Sequence, residues 1–82
     1  MSKKSKEQKV WEKGAHIQNK NPDAWRRDAK GDIIRRGSYG TQGEYGWEID
    51  HIRPKSKSGS DNIPNLQPLQ WENNRKKGNK TK

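Results

Sequence analysis

"GWEIDHIRPKSKSGSDNIPNLQPLQWENNRKKGN", residues 46–79, is the stretch on which the fold turns. From Tyr45 onward apolar and polar residues alternate, so Tyr45, Trp47 and Ile49 would face one side of a strand and Glu48, Asp50 and Ile52 the other. Pro54 ends that strand. The run KSKSGSDN, residues 55–62, has loop composition. Ile63 to Leu69 supplies a second strand, which Pro64 and Pro68 restrict to an edge or an irregular pairing. Trp71 to Lys77 then reads as a short helix closed by Gly78. Strand, loop, strand, helix predicts an α+β unit with two short antiparallel strands.

Around this unit the chain offers little apolar material. It has 82 residues, 23% of them hydrophobic and 35% charged, which allows one small domain and a small core. Nineteen Lys and Arg against ten Asp and Glu leave a formal charge of +9, which points to a polyanionic partner, nucleic acid first. No apolar run is long enough to span a membrane or to act as a signal peptide, so the expectation is a cytoplasmic protein without a membrane partner. Cysteine is absent from the sequence, so neither a disulfide nor a thiolate zinc site can reinforce the core.

Upstream, residues 1–9 carry four lysines and read as a flexible basic tail, and residues 80–82 as another. Residues 10–45 read as an N-terminal helical and loop extension. Val10, Trp11 and Ile17 anchor a short helix or extended arm there. In "NPDAWRRDAKG", Asn21 can cap, Pro22 suits a first helical position, Asp23 suits the dipole and Gly31 comes after the end, predicting a short helix at about 22–29. "DIIRR" suggests a brief strand or turn.

The adjacent Asp50 and His51 are weak evidence alone, because most such pairs are structural. They gain meaning from partners downstream at fixed spacing: "DHI.P", then Asn65 in "NL", then Asn74 in "NR.K". With these partners residues 46–79 resemble an HNH endonuclease motif, the ββα-metal or His-Me finger, in a cysteine-free variant. The spacing from Asp50 to Asn65 to Asn74 is also similar to that in the HNH domain of RNA-guided DNA nucleases. The resemblance implies that His51 is the general base and that Asn65 fixes the loop and orients that base. It further implies that Asp50 and Asn74 bind a divalent metal, and that the product is a hydrolysed DNA phosphodiester, nicked or cut through both strands.

Elementary chemistry agrees with those roles. Phosphodiester cleavage needs an activated water, charge stabilisation on the phosphate and neutralisation of the leaving oxygen. A neutral imidazole serves the first need. One carboxylate and one amide oxygen leave about four positions of an octahedral ion for water and phosphate, which favours Mg²⁺ or Mn²⁺ over Zn²⁺ or Ni²⁺. Arg53, Lys55 and Lys57 flank the base, and Arg75, Lys76 and Lys77 flank the last ligand; Arg53, Lys55, Lys57, Arg75 and Lys77 are the expected phosphate contacts. A chain this short has little surface for reading bases, so a homodimer or a protein partner would supply specificity. The competing expectations are a catalytically inactive nucleic-acid-binding module on the same fold and a basic assembly protein.

Many members of the family carry two Cys-x-x-Cys pairs. Here the later pair's positions fall at Gln70 and Asn73, and "TQGE", residues 41–44, stands where the earlier pair would, so no structural zinc is expected. The core would instead be closed by Tyr39, Tyr45, Trp47, Leu66, Leu69 and Trp71. His16 has no partner at metal spacing and reads as a surface or packing residue. Glu48 would either back the metal site from the Asp50 side or sit exposed beside a lysine. Strict alternation sends Asp50 and His51 to opposite faces, although both must approach one phosphate, so a strand ending or twisting at Asp50 is required.

Overall fold

The structure is a computed structural model that describes residues 3–78. In chain order its elements are α1 (Lys6–Trp11), β1 (Trp25–Arg27), β2 (Ile33–Arg35), β3 (Trp47–His51), β4 (Leu66–Gln70) and α2 (Trp71–Lys77). Single 3₁₀ turns lie at Arg36–Ser38, Lys55–Lys57 and Ile63–Asn65. The fold is α+β, with two two-stranded antiparallel sheets, β1–β2 and β3–β4, and a closing helix.

The strand, loop, strand, helix order forms as the sequence predicts, with Trp47 opposite Gln70 and His51 opposite Leu66. The second strand begins later than expected, because Ile63–Asn65 coil into a 3₁₀ turn before β4. Pro68 lies opposite Ile49 in this two-stranded ladder, whose outer edge tolerates its missing N–H. All of "LQPLQ" in β4 is buried, since both faces of the sheet are covered. Trp47 and Leu66 turn to the core, with Ile49 packed beside them. On the opposite face α2 covers Glu48 and Asp50, reaching them from Asn74 and Lys77. The Gln70 side chain caps α2 by accepting from the backbone N–H groups of Glu72 and Asn73, and Gly78 closes the helix by donating to the Asn74 carbonyl.

The predicted helix at 22–29 does not form. Its capping signals build one turn: the Asn21 side chain accepts from the Asp23 N–H, and the Asn21 carbonyl accepts from Ala24 and Trp25. The chain then extends into β1, because Ile33–Arg35 is available to pair with it, Arg26 opposite Ile34. Gly31, expected past a helix end, is the turn residue of this hairpin with φ of 91°. Arg26 is buried, and its guanidinium donates to the carbonyls of Pro22, Glu12 and Gly14, fastening the hairpin to the end of α1.

The basic tail expected over 1–9 is likewise corrected, for Lys6–Lys9 are helical. Ser5 caps α1 by accepting from the Gln8 N–H, in an S-x-x-Q arrangement that outweighs the run of lysines. The helix delivers Val10 and Trp11, both fully buried, to the core, and the Trp11 indole lies 5.3 Å from that of Trp47. The expected tail at 80–82 lies outside the described residues.

The core consists of Val10, Trp11, Ile34, Trp47, Leu66 and Leu69. Of the residues expected to close it, Tyr39 is instead 39% exposed and packs at a tilt against Trp47, and Tyr45 meets Trp25 edge-on. Trp71 is half-buried and donates its indole N–H to the Gly43 carbonyl. Their places are taken by α1 and β2, elements outside the motif.

A polar knot stands at the start of α2. Asp28, 5% exposed, accepts from the backbone N–H groups of Lys30, Asp32 and Gln70 and from the Asn73 amide. One carboxylate thus joins the hairpin turn to the start of α2. No helix among the described residues is long and apolar enough to cross a membrane.

Candidate functional site

At the C-terminal end of β3 the backbone leaves the sheet: Ile52 still donates to the Asn65 carbonyl, and beyond it the loop departs. Asp50 and His51 occupy the last two positions of the strand, on opposite faces as alternation requires. A hollow of about 270 Å³ nevertheless receives both, and its lining includes Asp50, His51, Lys55, Asn74 and Lys77. The strand does not end at Asp50 as expected but runs through His51, and it is the hollow at its end that takes in both residues. A larger hollow of about 450 Å³ lies on the other flank of α2, lined by Arg27, Asp32, Tyr45, Glu72 and Lys76 among others. None of the spaced motif residues reaches it, so the smaller hollow is the candidate site.

Asp50 is 6% exposed, and both of its oxygens are engaged. Oδ2 accepts from Gln67 Nε2 at 2.9 Å, and Oδ1 lies 3.2 Å from Lys77 Nζ. Lys77, expected on the surface as a phosphate contact, is buried, and it also donates to the His51 carbonyl at 2.8 Å. It neutralises the carboxylate and pins the end of β3 to α2.

Asn74 donates Nδ2 to Glu48 Oε1 at 2.7 Å. With the amide nitrogen committed to a carboxylate, the amide oxygen remains as its acceptor end. Arg75 forks onto the same Glu48 at 2.6 and 2.9 Å. Its hydrogen bonds hold the Glu48 carboxyl below the ordinary glutamate value, burial opposes this, and the Asn74 bond adds to it. Glu48 reciprocally raises Arg75. Glu48 therefore sits beside an arginine, where a lysine was expected, and it orients Asn74.

His51 Nε2 lies 2.6 Å from Asp61 Oδ1. Lys55 approaches the other Asp61 oxygen at 3.4 Å. Hydrogen bonding first to His51 and then to Lys55 holds the Asp61 carboxyl below its ordinary value. Asn65 stays out of the hollow and clamps the loop: its oxygen accepts from the Arg53 N–H, and its Nδ2 donates to the carbonyls of Arg53 and Ser60. Arg53 donates its Nε to the Lys57 carbonyl, while Lys55 and Lys57 are exposed.

The donor set suits a hard divalent cation. Asp50 and Asn74 offer a carboxylate and an amide oxygen, and each Asp50 oxygen keeps a lone pair beyond its present bond. A cation bound there shares Asp50 with the Lys77 ammonium. Among the described residues no three of His, Cys, Asp and Glu gather round one point.

Sequence reading missed Asp61, Gln67 and the inward role of Lys77. Only Lys77 carried a signal, since it lies on the turn of α2 that comes after Asn74. Asp61 sits in a polar loop without periodicity, and Gln67 is one polar residue in a short strand.

A β-hairpin backed by a helix, with an aspartate and a histidine at the strand end and an asparagine on the helix, defines a ββα finger of the nuclease class. Residues 36–80, more than half of the chain, match the sequence profile of the HNH endonuclease family, and the chain belongs to that family. No curated protein and no solved structure matches it.

Proposed function

We propose that this protein is a metal-dependent DNA endonuclease. The observation that carries the reading is the convergence of Asp50, His51 and Asn74 on one hollow. His51, neutral, takes a proton from a water as that water's oxygen bonds to phosphorus. The phosphorus bond to the opposite oxygen breaks, and the leaving oxygen departs with the bonding pair and is reprotonated from water. Asp50 and Asn74 hold Mg²⁺ or Mn²⁺, which when bound supplies charge stabilisation for the phosphate and leaving oxygen. Asn65 keeps the loop that follows the base cinched.

Lys55, Lys57 and Arg53 rim the base side of the site and contact backbone phosphates, a sequence-independent grip that weakens with salt. Arg75 joins them when it exchanges Glu48 for phosphate, and Lys77 acts from beneath through Asp50. A second copy or a protein partner is the proposed source of base preference.

The alternative, a DNA-binding module without catalysis, draws on one observation: Asp50 is already neutralised by Lys77. Supercoiled plasmid separates the two. The nuclease reading expects relaxed or linear product with Mg²⁺ or Mn²⁺, none with chelator, and a loss of about 100-fold or more in His51→Ala. Plasmid that stays supercoiled under either metal, or is cut equally by the variant, rejects it.

A further inference from the structure

We propose that Asp61 is a positioning residue for His51, holding the imidazole in the tautomer whose Nδ1 is the basic nitrogen; the inference rests on the nuclease reading above. A carboxylate only accepts, so the 2.6 Å contact with Nε2 places the ring proton on Nε2. The other nitrogen then carries the lone pair. Rotation of the ring is restrained at the same time, since the proton has one partner at fixed reach.

The loop is built to keep Asp61 there. Asn65 ties both backbone groups of Arg53 to the Ser60 carbonyl, one residue before Asp61. Ser58 adopts a left-handed φ of 69°, and a Cβ on Gly59 would collide with the Arg53 carbonyl, so the return of the chain is as tight as it can be. The asparagine that family resemblance links to orienting the base thus acts through a carboxylate set beside that base. Lys55, 3.4 Å away, balances Asp61 while the imidazole is neutral. When His51 takes the water's proton, the same carboxylate faces an imidazolium and stabilises it.

The test uses the full chain, with Asp61→Ala and Asp61→Glu. In single-turnover plasmid nicking at saturating Mn²⁺, Asp61→Ala is expected to lose about 10- to 100-fold in rate, and Asp61→Glu, which keeps the carboxylate, to recover part of it. DNA affinity measured with Ca²⁺ stays equal or tightens, since a negative charge beside the phosphate has been removed, and the melting temperature is retained. In metal-free protein, nitrogen-resolved NMR of the His51 ring shows a slowly exchanging proton on Nε2, lost in Asp61→Ala. Nicking by Asp61→Ala at or above the wild-type rate, a rate loss accounted for by weaker DNA binding, or a wild-type ring proton on Nδ1 overturns the proposal. If the wild-type protein fails to cut at all, the nuclease reading falls, and the ring-proton arm still decides whether Asp61 holds His51.

Discussion

Lys77 and Asp50 are each nearly sealed from solvent, 5% and 6% exposed at their side chains, and each is the other's countercharge. Breaking a buried pair from one side leaves an uncompensated charge, which costs about 3–5 kcal/mol. Lys77→Met is expected to lose that much stability in urea titration, whereas the double change with Asp50→Asn is milder than the sum of the two single changes. Millimolar Mg²⁺ should restore part of the loss in Lys77→Met, because the freed carboxylate can take the cation. At this scale the sequence was eloquent about chemistry and silent about state. Resemblance to the HNH family is what singled out Asp50, His51, Asn65 and Asn74. That a lysine 27 positions from Asp50 turns inward to meet it depends on α2 crossing the sheet, which no local pattern encodes.

Between elements the same contrast holds. The β3–β4–α2 unit was legible because alternation, a polar loop and a helix stop agreed with one another. The hairpin β1–β2 was not, because Asn21, Pro22 and Asp23 begin a turn equally well for a helix or a strand, and the decision falls to pairing with Ile33–Arg35. Gly31 records the outcome: with φ at 91° and open space around it, Gly31→Ala is expected to cost about 1–2 kcal/mol from backbone conformation alone, read as a lowered urea midpoint. The tie between β3 and α2 is electrostatic and pH-dependent. Glu48 has a folded-state pKa below that of an ordinary glutamate, so its contribution is complete above the unfolded-state value and is lost as pH falls through the folded one. The stability difference between wild type and Glu48→Gln, measured in chelator-containing buffer, should therefore hold steady from about pH 7 to about 5 and shrink on further acidification.

Across the whole molecule, the Asp28 knot ties the β1–β2 turn to the start of α2. Its four hydrogen bonds include the backbone N–H of Gln70, which would be buried without a partner if the carboxylate were removed. Asp28→Ala is expected to cost roughly 3 kcal/mol, while a chelator leaves the melting temperature of the wild-type fold unchanged. The knot was hidden from the sequence because Asp28 and Gln70 lie 42 positions apart. There is a corollary for modularity. Because the indole of Trp11, the side chain of Ile34 and the carboxylate of Asp28 all come from outside the motif, the finger in this protein is not a portable cassette. Residues 46–78 transplanted into another scaffold would bring the reactive groups without the foundations that hold them in register.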